Sequence, residues 1–422
     1  VSGLSAREGA LVLIRSVTEE GAMLDEAALP AALAPAERAR ALTLARGVIR
    51  WLGPIDATLA HFMKRAAAKD THAILRLGAT EILALREAPH GVVDSAVRLA
   101  KAGKRTRPLA GLVNAVLRRV TAEGPEVWET LDHARLGAPD WLWRALRADW
   151  GRVGAAAIAA AHLRPAPLDL TPKNDDAAAL ATQLGGVATP TGSVRLARPG
   201  RLTDLPGFAT GDWWAQDAAA AVPARLAGSG EGRRALDLCA APGGKTMQLA
   251  AAGWVVTALD AAATRMKRVE ENLARTGLSA ELIVADALEW AADPFDLVLL
   301  DAPCTATGTI RRHPELPHIR DGAGLPAATT LQARLIDAAW ALVAPGGALI
   351  YATCSLIKAE GESRANAFMK AHPEAERAPI HPAEIGDAAL LTSAGDFRAR
   401  PDLWPESGGL DGFFATRFRR RA

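Results

Sequence analysis

At about 150 residues per domain, a chain of 422 residues has room for two or three globular units, and half of its residues are hydrophobic, so it can bury substantial cores. Its 49 Lys and Arg against 47 Asp and Glu leave a formal charge of +2, which excludes both a wholesale basic composition and an acidic disordered one. Any electrostatic signal must therefore be local. Aromatic residues make up only 5% and alanine is abundant, which favours helices. The three cysteines, Cys239, Cys304 and Cys354, form no CxxC pair and no Cys/His cluster, so neither a disulfide framework nor a metal site is expected. The apolar run at 10–14 is too short for a signal-peptide core, and the mild stretch at 153–163 falls short of the roughly 18 residues of a membrane helix. A reducing cytoplasm is the expected setting.

From Ser5 to about Val120 the apolar residues recur at helical spacing. Leu42, Ala45, Val48, Ile49 and Leu52 form one stripe, and Ile74, Leu77, Ile82 and Leu85 another. Residues 1–135 are read as an all-α domain. A Pro- and Gly-rich connector domain follows at 136–232, with a helical segment WLWRALRADW and extended segments LDLTP and SVRLARPG. At 233–422 the pattern becomes α/β: the runs ALDLC, WVVTALD, AELIVAD, FDLVLLD and GALIYATC alternate with helical segments, which predicts a parallel sheet covered on both faces. The tail segments FRARPDLW and GFFATRFR are expected to form an antiparallel hairpin on the edge of that sheet.

Ligands of open parallel sheets bind at the carboxyl ends of the strands. The first run leads into CAAPGGK, Cys239 to Lys245, where Gly243 and Gly244 let backbone approach a ligand at a helix N-terminus. The next three runs each close on an acid: Asp260, Asp286 and Asp301. A carboxylate about 20 residues beyond the glycine turn is the usual ribose partner, and Asp260 occupies that place. Several acids repel a polyphosphate but suit a nucleoside carrying amine and sulfonium charge, which favours S-adenosylmethionine over NAD or ATP. Cys304 and Cys354 follow the fourth and fifth runs at the same edge, with Arg311, Arg312, His313 and Lys358 nearby in sequence as candidate sources of thiolate-stabilising charge. Composition and spacing do not say which cysteine attacks.

Taken together, DLCAAPGGKT, Asp260 with Arg265, Asp286, LLDAPCTATGTIRRHPE, YATCS and DGFFATRF resemble the bacterial RsmB/Sun branch of the Nop2/Sun RNA cytosine-5 methyltransferases. LRLGATEIL, VVDSAVRLAK and GLVNAVLRRV resemble the NusB-like RNA-binding domain that this branch carries. The resemblance implies a Rossmann-like class I methyltransferase domain with a seven-stranded, mostly parallel sheet, preceded by the NusB-like domain and the connector. It also implies a cofactor, S-adenosylmethionine, and a substrate, small-subunit (16S) ribosomal RNA in an unassembled or loosely structured form, with the enzyme a monomer.

By the same resemblance, Cys239, Ala240, Ala241, Pro242, Gly243, Gly244 and Lys245 surround the methionine part of the cofactor. Asp260, with Arg265, holds the ribose, Asp286 the adenine amine, and Asp301 lies between cofactor and cytosine. Cys354 is implied as the nucleophile and Cys304 as the residue assisting product release. Carbon 5 of cytosine is a poor nucleophile; addition of a thiolate to carbon 6 makes it an enamine carbon that can take a methyl group. One departure stands out: many relatives carry an acid where Ala262 follows Asp260.

Between Ser95 and Ala122 there is no acid, while Arg98, Lys101, Lys104, Arg105, Arg107, Arg118 and Arg119 supply positive charge for RNA phosphates. The competing readings are a noncatalytic NusB-like RNA-binding protein, a methyltransferase of transfer or 23S ribosomal RNA, and a nicotinamide-dependent dehydrogenase. The last is opposed by the absence of GxGxxG.

Overall fold

In the computed structural model the described residues are 2–24, 29, 33–65, 67–197 and 200–422. Two compact units emerge, Val1–Pro165 with Ile310–Gly322, and Ala166–Thr309 with Ala323–Ala422.

The first unit is helical: α1 (Ser2–Glu20), α2 (Pro35–Arg50), α3 (Leu52–Phe62), α4 (Lys69–Leu83), α5 (Pro89–Ala102), α6 (Ala110–Thr130), α7 (His133–Gly137) and α8 (Asp140–His162). The expected stripes face its core, with Ala45, Val48, Ile49, Ile74 and Leu77 all buried. The segment WLWRALRADW opens α8, which kinks at Gly151 (φ 68°) and buries Leu142, Leu146 and Ile158. By contacts the compact unit runs on through α8, which packs on α7, to Pro165. It also takes up Ile310–Gly322, which includes the short helix α13 (Leu316–Ile319). Trp141 Nε1 donates to the Pro317 carbonyl at 2.9 Å, Arg50 Nη2 to the Arg311 carbonyl at 2.9 Å, and Arg311 Nη2 to the Pro165 carbonyl at 2.7 Å.

The second unit starts with an antiparallel sheet formed by the rest of the connector stretch. Its strands β1 (Leu168–Pro172), β2 (Val187–Ala188), β3 (Val194–Leu196) and β4 (Trp213–Ala215) lie in the order β2-β3-β1-β4. LDLTP is β1 and part of SVRLARPG is β3, while Arg198 and Pro199 lie outside the described residues. Helices α9 (Ala177–Leu184) and α10 (Val222–Arg225) complete this portion.

The large sheet comprises β5 (Arg234–Leu238), β6 (Val255–Asp260), β7 (Glu281–Val284), β8 (Phe295–Asp301), β9 (Val343–Thr353), β10 (Ala375–Arg377), β11 (Phe397–Ala399) and β12 (Phe413–Arg420). Helices α11 (Gly244–Ala251), α12 (Ala263–Thr276), α14 (Leu325–Ala341) and α15 (Glu362–Ala371) connect them. The order β10-β12-β9-β8-β5-β6-β7 gives the expected seven strands, parallel from β9 to β7, with β11 as an additional eighth paired to β12. The tail does form an antiparallel pair, Phe397↔Ala415, but β12 is no edge strand: it lies between β9 and β10. Its backbone groups are paired on both sides, with β9 on one and β10 and β11 on the other, so no open edge is left along it. Alternate residues enter opposite cores, Ala235, Leu297, Leu299 and Ile350 on one face and Leu236, Val298, Leu300 and Tyr351 on the other. Both faces are therefore dry, as continuous apolar strands require.

Candidate active site

After β5 the chain runs to one side of the sheet through β6 and β7, then returns to the other through β8 and β9. The reversal opens a crevice at the carboxyl ends of β5 and β8, where such folds hold ligands. The loop after β5 turns through Cys239 (φ 60°), a cis Ala241–Pro242 peptide and Gly243 (φ 98°) before α11 begins. At Gly243 the backbone is left-handed and an added Cβ would stand 3.0 Å from Val269 Cγ1, so the loop's close approach to α12 needs glycine.

Asp260 ends β6 and is buried. Its Oδ1 accepts from Ala262 N at 2.9 Å and Arg265 Nη2 at 2.8 Å, and its Oδ2 from Ala241 N at 3.3 Å. Ala262 thus contributes a backbone N–H to this carboxylate. Two carboxylate oxygens have about four acceptor sites, which leaves capacity for a hydroxyl donor. Asp286 lies in the exposed turn beyond β7 and its Oδ1 accepts from Leu288 N at 2.9 Å.

Asp237, which the sequence pattern did not single out, lies fully buried beneath the loop. Thr246 Oγ1 donates to its Oδ2 at 2.6 Å, while Oδ1 has no partner among the described residues. Burial pushes its carboxyl up to about 7, against the Thr246 hydrogen bond and the charge of Lys245. Burial, together with Asp301, Asp260 and Asp237, likewise pushes the Cys239 thiol up to about 12. Burial is the largest cause, and the three carboxylates add a negative potential around the loop. That cradle fits a cationic amino and sulfonium ligand and disfavours a polyphosphate.

Beyond the crevice, β8 and β9 pair in parallel up to Asp301↔Ala352, and the bond from Ala302 N to the Ala352 carbonyl at 2.9 Å carries the pairing one step further. The two cysteines follow directly, so strand register sets them side by side. Cys304 Sγ and Cys354 Sγ are 3.5 Å apart and both are half-buried. Cys304 is held well above its usual thiol range, first by its hydrogen bond to Cys354, then by burial and by the charges of Cys354 and Glu360. Its thiol form is favoured.

Lys245 Nζ pairs with Asp301 Oδ2 at 2.6 Å and lies 5.0 Å from the Phe413 ring centroid. Burial works against its charge, but Asp301, Asp237 and Cys354 outweigh burial and raise its pKa. Lys245 is thus a buried cation whose charge acts on Cys354, and Arg398, buried nearby, donates to the Ser355 carbonyl at 2.6 Å. Arg311 and His313, expected from sequence proximity, belong to the segment clustered with the helices, where Arg311 binds backbone carbonyls and His313 Nδ1 is 3.3 Å from Glu315 Oε1. Among the described residues no group of three His, Cys, Asp or Glu is placed to hold a metal.

The seven basic candidates all lie on the helical unit, and their surroundings differ. Arg98 pairs with Asp94 at 2.9 Å and Arg119 with Glu123 at 3.5 Å, both one helical turn away. These two acids lie just outside the acid-free stretch. Arg107 Nε donates to the Lys101 carbonyl at 2.9 Å. Lys101, Lys104, Arg105 and Arg118 are exposed and carry no ion pair among the described residues. Lys104 and Arg105 also border a cavity of about 300 Å³ floored by Leu11, Ala73, Ile74 and Leu99.

A doubly covered parallel sheet, a glycine turn forming a negative cradle and an acid at the second strand define a class I S-adenosylmethionine-dependent methyltransferase. A family model described as 16S rRNA methyltransferase RsmB/F matches residues 226–419, and one described as the NusB family matches residues 4–122. Ribosomal RNA small subunit methyltransferase B of Pseudomonas putida is 38% identical over 403 residues, covering 90% of each chain. The protein of the same description from Xanthomonas campestris pv. campestris is 35% identical, covering 98% of this chain and 96% of its own. The crystal structure of PH0851 covers 99% of both chains with a TM-score of 0.76 at 23% identity, a likeness of fold. The chain belongs to the RsmB/F family of methyltransferases, with a NusB-type domain at its N-terminal side.

Proposed function

We propose that this enzyme methylates carbon 5 of a cytosine in 16S ribosomal RNA through a covalent intermediate on Cys354. The observation that carries the reading is the pair of thiols at 3.5 Å, one of them held protonated, beside the Lys245–Asp301 ion pair. The small-subunit specificity named for its relatives supports the choice of RNA.

Bound S-adenosylmethionine supplies an electrophilic methyl group. Cys239 to Lys245, Asp260 with Arg265, Asp286 and Asp301 would hold it, the buried acids offsetting its positive charge. Lys245 stabilises the Cys354 thiolate by charge, as a nearby cation does for reactive cysteines. That thiolate adds to carbon 6 of the cytosine, and the electron pair released into the ring makes carbon 5 the nucleophile. Asp301 accepts from the amino edge of the base. After methylation the carbon 5 proton passes to a water molecule acting as base, the electrons of that bond restore the double bond between carbons 5 and 6, the carbon–sulfur bond breaks with its electrons returning to Cys354, and Cys304 assists this release. The target base must leave its stack to reach sulfur, so an unpaired or loosely structured RNA suits the site.

The helical unit supplies phosphate contacts through Arg98, Lys101, Lys104, Arg105, Arg107, Arg118 and Arg119, with the connector stretch contributing to RNA recognition. We take the enzyme to act as a monomer. The mechanism requires thiols that stay reduced, which supports a cytoplasmic setting. The test is incubation with methyl-labelled S-adenosylmethionine and small-subunit RNA, followed by mapping of 5-methylcytosine in ribosomal RNA from a deletion strain. Label in 16S RNA and one cytosine left unmethylated in the deletion strain are expected. Label confined to transfer or 23S RNA, or no label in RNA, would overturn the proposal.

A further inference from the structure

Glu360 lies outside the motifs assigned to catalysis, yet it is fully buried and hydrogen-bonded to the residues that follow each cysteine. It follows β9 in a short 3-10 turn, Lys358–Glu360. Oε1 accepts from Thr305 N at 2.9 Å and from Gln332 Nε2 at 3.0 Å. Oε2 accepts from Thr305 Oγ1 at 2.5 Å and from Ser355 Oγ. Thr305 adjoins Cys304 and Ser355 adjoins Cys354, while the same Gln332 amide donates to the Pro303 carbonyl at 2.9 Å. Tyr351 Oη donates to the Glu360 carbonyl at 2.7 Å, and Gly308 N to the Cys354 carbonyl at 2.9 Å.

We propose that Glu360 is a positioning residue for the two cysteines: its buried carboxylate clasps the turns carrying Cys304 and Cys354 against each other and sets which sulfur keeps the proton. The inference rests on the covalent reading of the cysteine pair and extends it to the residue that organises the pair. A carboxylate accepting four hydrogen bonds in a dry site is held in one geometry, because each donor lost would leave a buried polar group unpaired. Its negative charge disfavours a second anion nearby, and two of its four hydrogen bonds come from Thr305, the residue directly after Cys304. Charge repulsion thus works with the Cys304–Cys354 hydrogen bond to keep Cys304 protonated. The titratable groups facing Cys304 are Cys354, Glu360 and the hydroxyl of Tyr351.

The experiment reads Cys304 ionisation directly, by the pH dependence of its alkylation with iodoacetamide in the full-length Cys354→Ser protein, resolved by peptide mass spectrometry. Adding Glu360→Gln, which keeps the volume and removes the charge, is expected to lower the alkylation midpoint by about one pH unit or more. In the enzyme with both cysteines intact, Glu360→Gln should lower kcat about 10- to 100-fold with KM for S-adenosylmethionine within about twofold. Glu360→Asp, which retains the charge but shortens the reach, should keep the high midpoint while lowering kcat. An unchanged midpoint in folded Glu360→Gln protein would overturn the proposal. This readout needs no methyl transfer, so it is independent of whether RNA is methylated. If Glu360→Gln does not fold, Thr305→Val and Ser355→Ala each remove one arm of the clasp. Their effects on kcat should be less than additive when combined, and additive losses would overturn the clasp.

Discussion

Lys245 Nζ and Asp301 Oδ2 stand 2.6 Å apart, joining the helix after the first strand of the parallel sheet to the end of the fourth. The pair links the two strand ends beside the switch point, and Asp301, Asp237 and Cys354 together favour the charged form of its ammonium against burial. Lys245→Met, which keeps the stem and removes the charge, should lower kcat by about 10²–10³-fold, the scale of losing a preorganised electrostatic group. Single-turnover methylation checks this. A loss confined to KM would show that Lys245 serves binding alone.

The two thiols should fail in different ways. Cys354→Ala is expected to abolish methylation, since no other thiolate is placed to take over attack on carbon 6. Cys304→Ala should still attack but release slowly, leaving protein on RNA as a species that survives denaturing electrophoresis. Methylation at the normal rate by Cys354→Ala, or an adduct from Cys354→Ala in place of Cys304→Ala, would reverse the assignment.

Asp237 ties the stability of the sheet unit to pH. Its carboxyl titrates at about 7 in the folded protein against 3.8 ordinarily, so between these values the folded state holds a proton that the unfolded state has lost. Stability therefore falls as pH rises through this window, and the penalty is complete above about pH 7. Asp237→Asn removes the titration. Thermal unfolding without cofactor should show a weaker decline of Tm from about pH 4 to 8 in the variant, with a difference on the order of a few kcal/mol at the upper end. Parallel Tm profiles for the two proteins would contradict this.

On the helical unit, exposed cations without ion pairs should matter more than those already paired. Lys101→Ala, Lys104→Ala and Arg105→Ala together are expected to weaken RNA binding and flatten the dependence of log K on log salt by up to about 0.7 for each phosphate no longer neutralised. Arg98→Ala with Arg119→Ala should change the slope less, because Asp94 and Glu123 already offset those charges. Equal slopes in all variants, measured by filter binding across a salt series, would remove this face from the RNA interface.

Much of the fold is written in local pattern. The stripes of α2 and α4, the apolar runs of the parallel strands and the glycine turn at Gly243 and Gly244 need only their own neighbours to be recognised, because a period of 3.6 or a run of β-formers is a property of a few adjacent residues. Cys304 and Cys354 were legible as strand-end residues for the same reason. The partners of these groups were not. That β12 lies inside the sheet, that Ile310–Gly322 packs with the helices, that Lys245 faces Asp301 and that Glu360 grips Thr305 and Ser355 at once all depend on segments brought together through strand order. Glu360 is the sharpest case: as one letter among many acids it is unremarked, and burial among four donors turns it into a structural anchor. Residue type and spacing identify the reacting groups, whereas proton placement and charge balance arise from desolvation and from neighbours distant in sequence, which act only once the chain has closed around them.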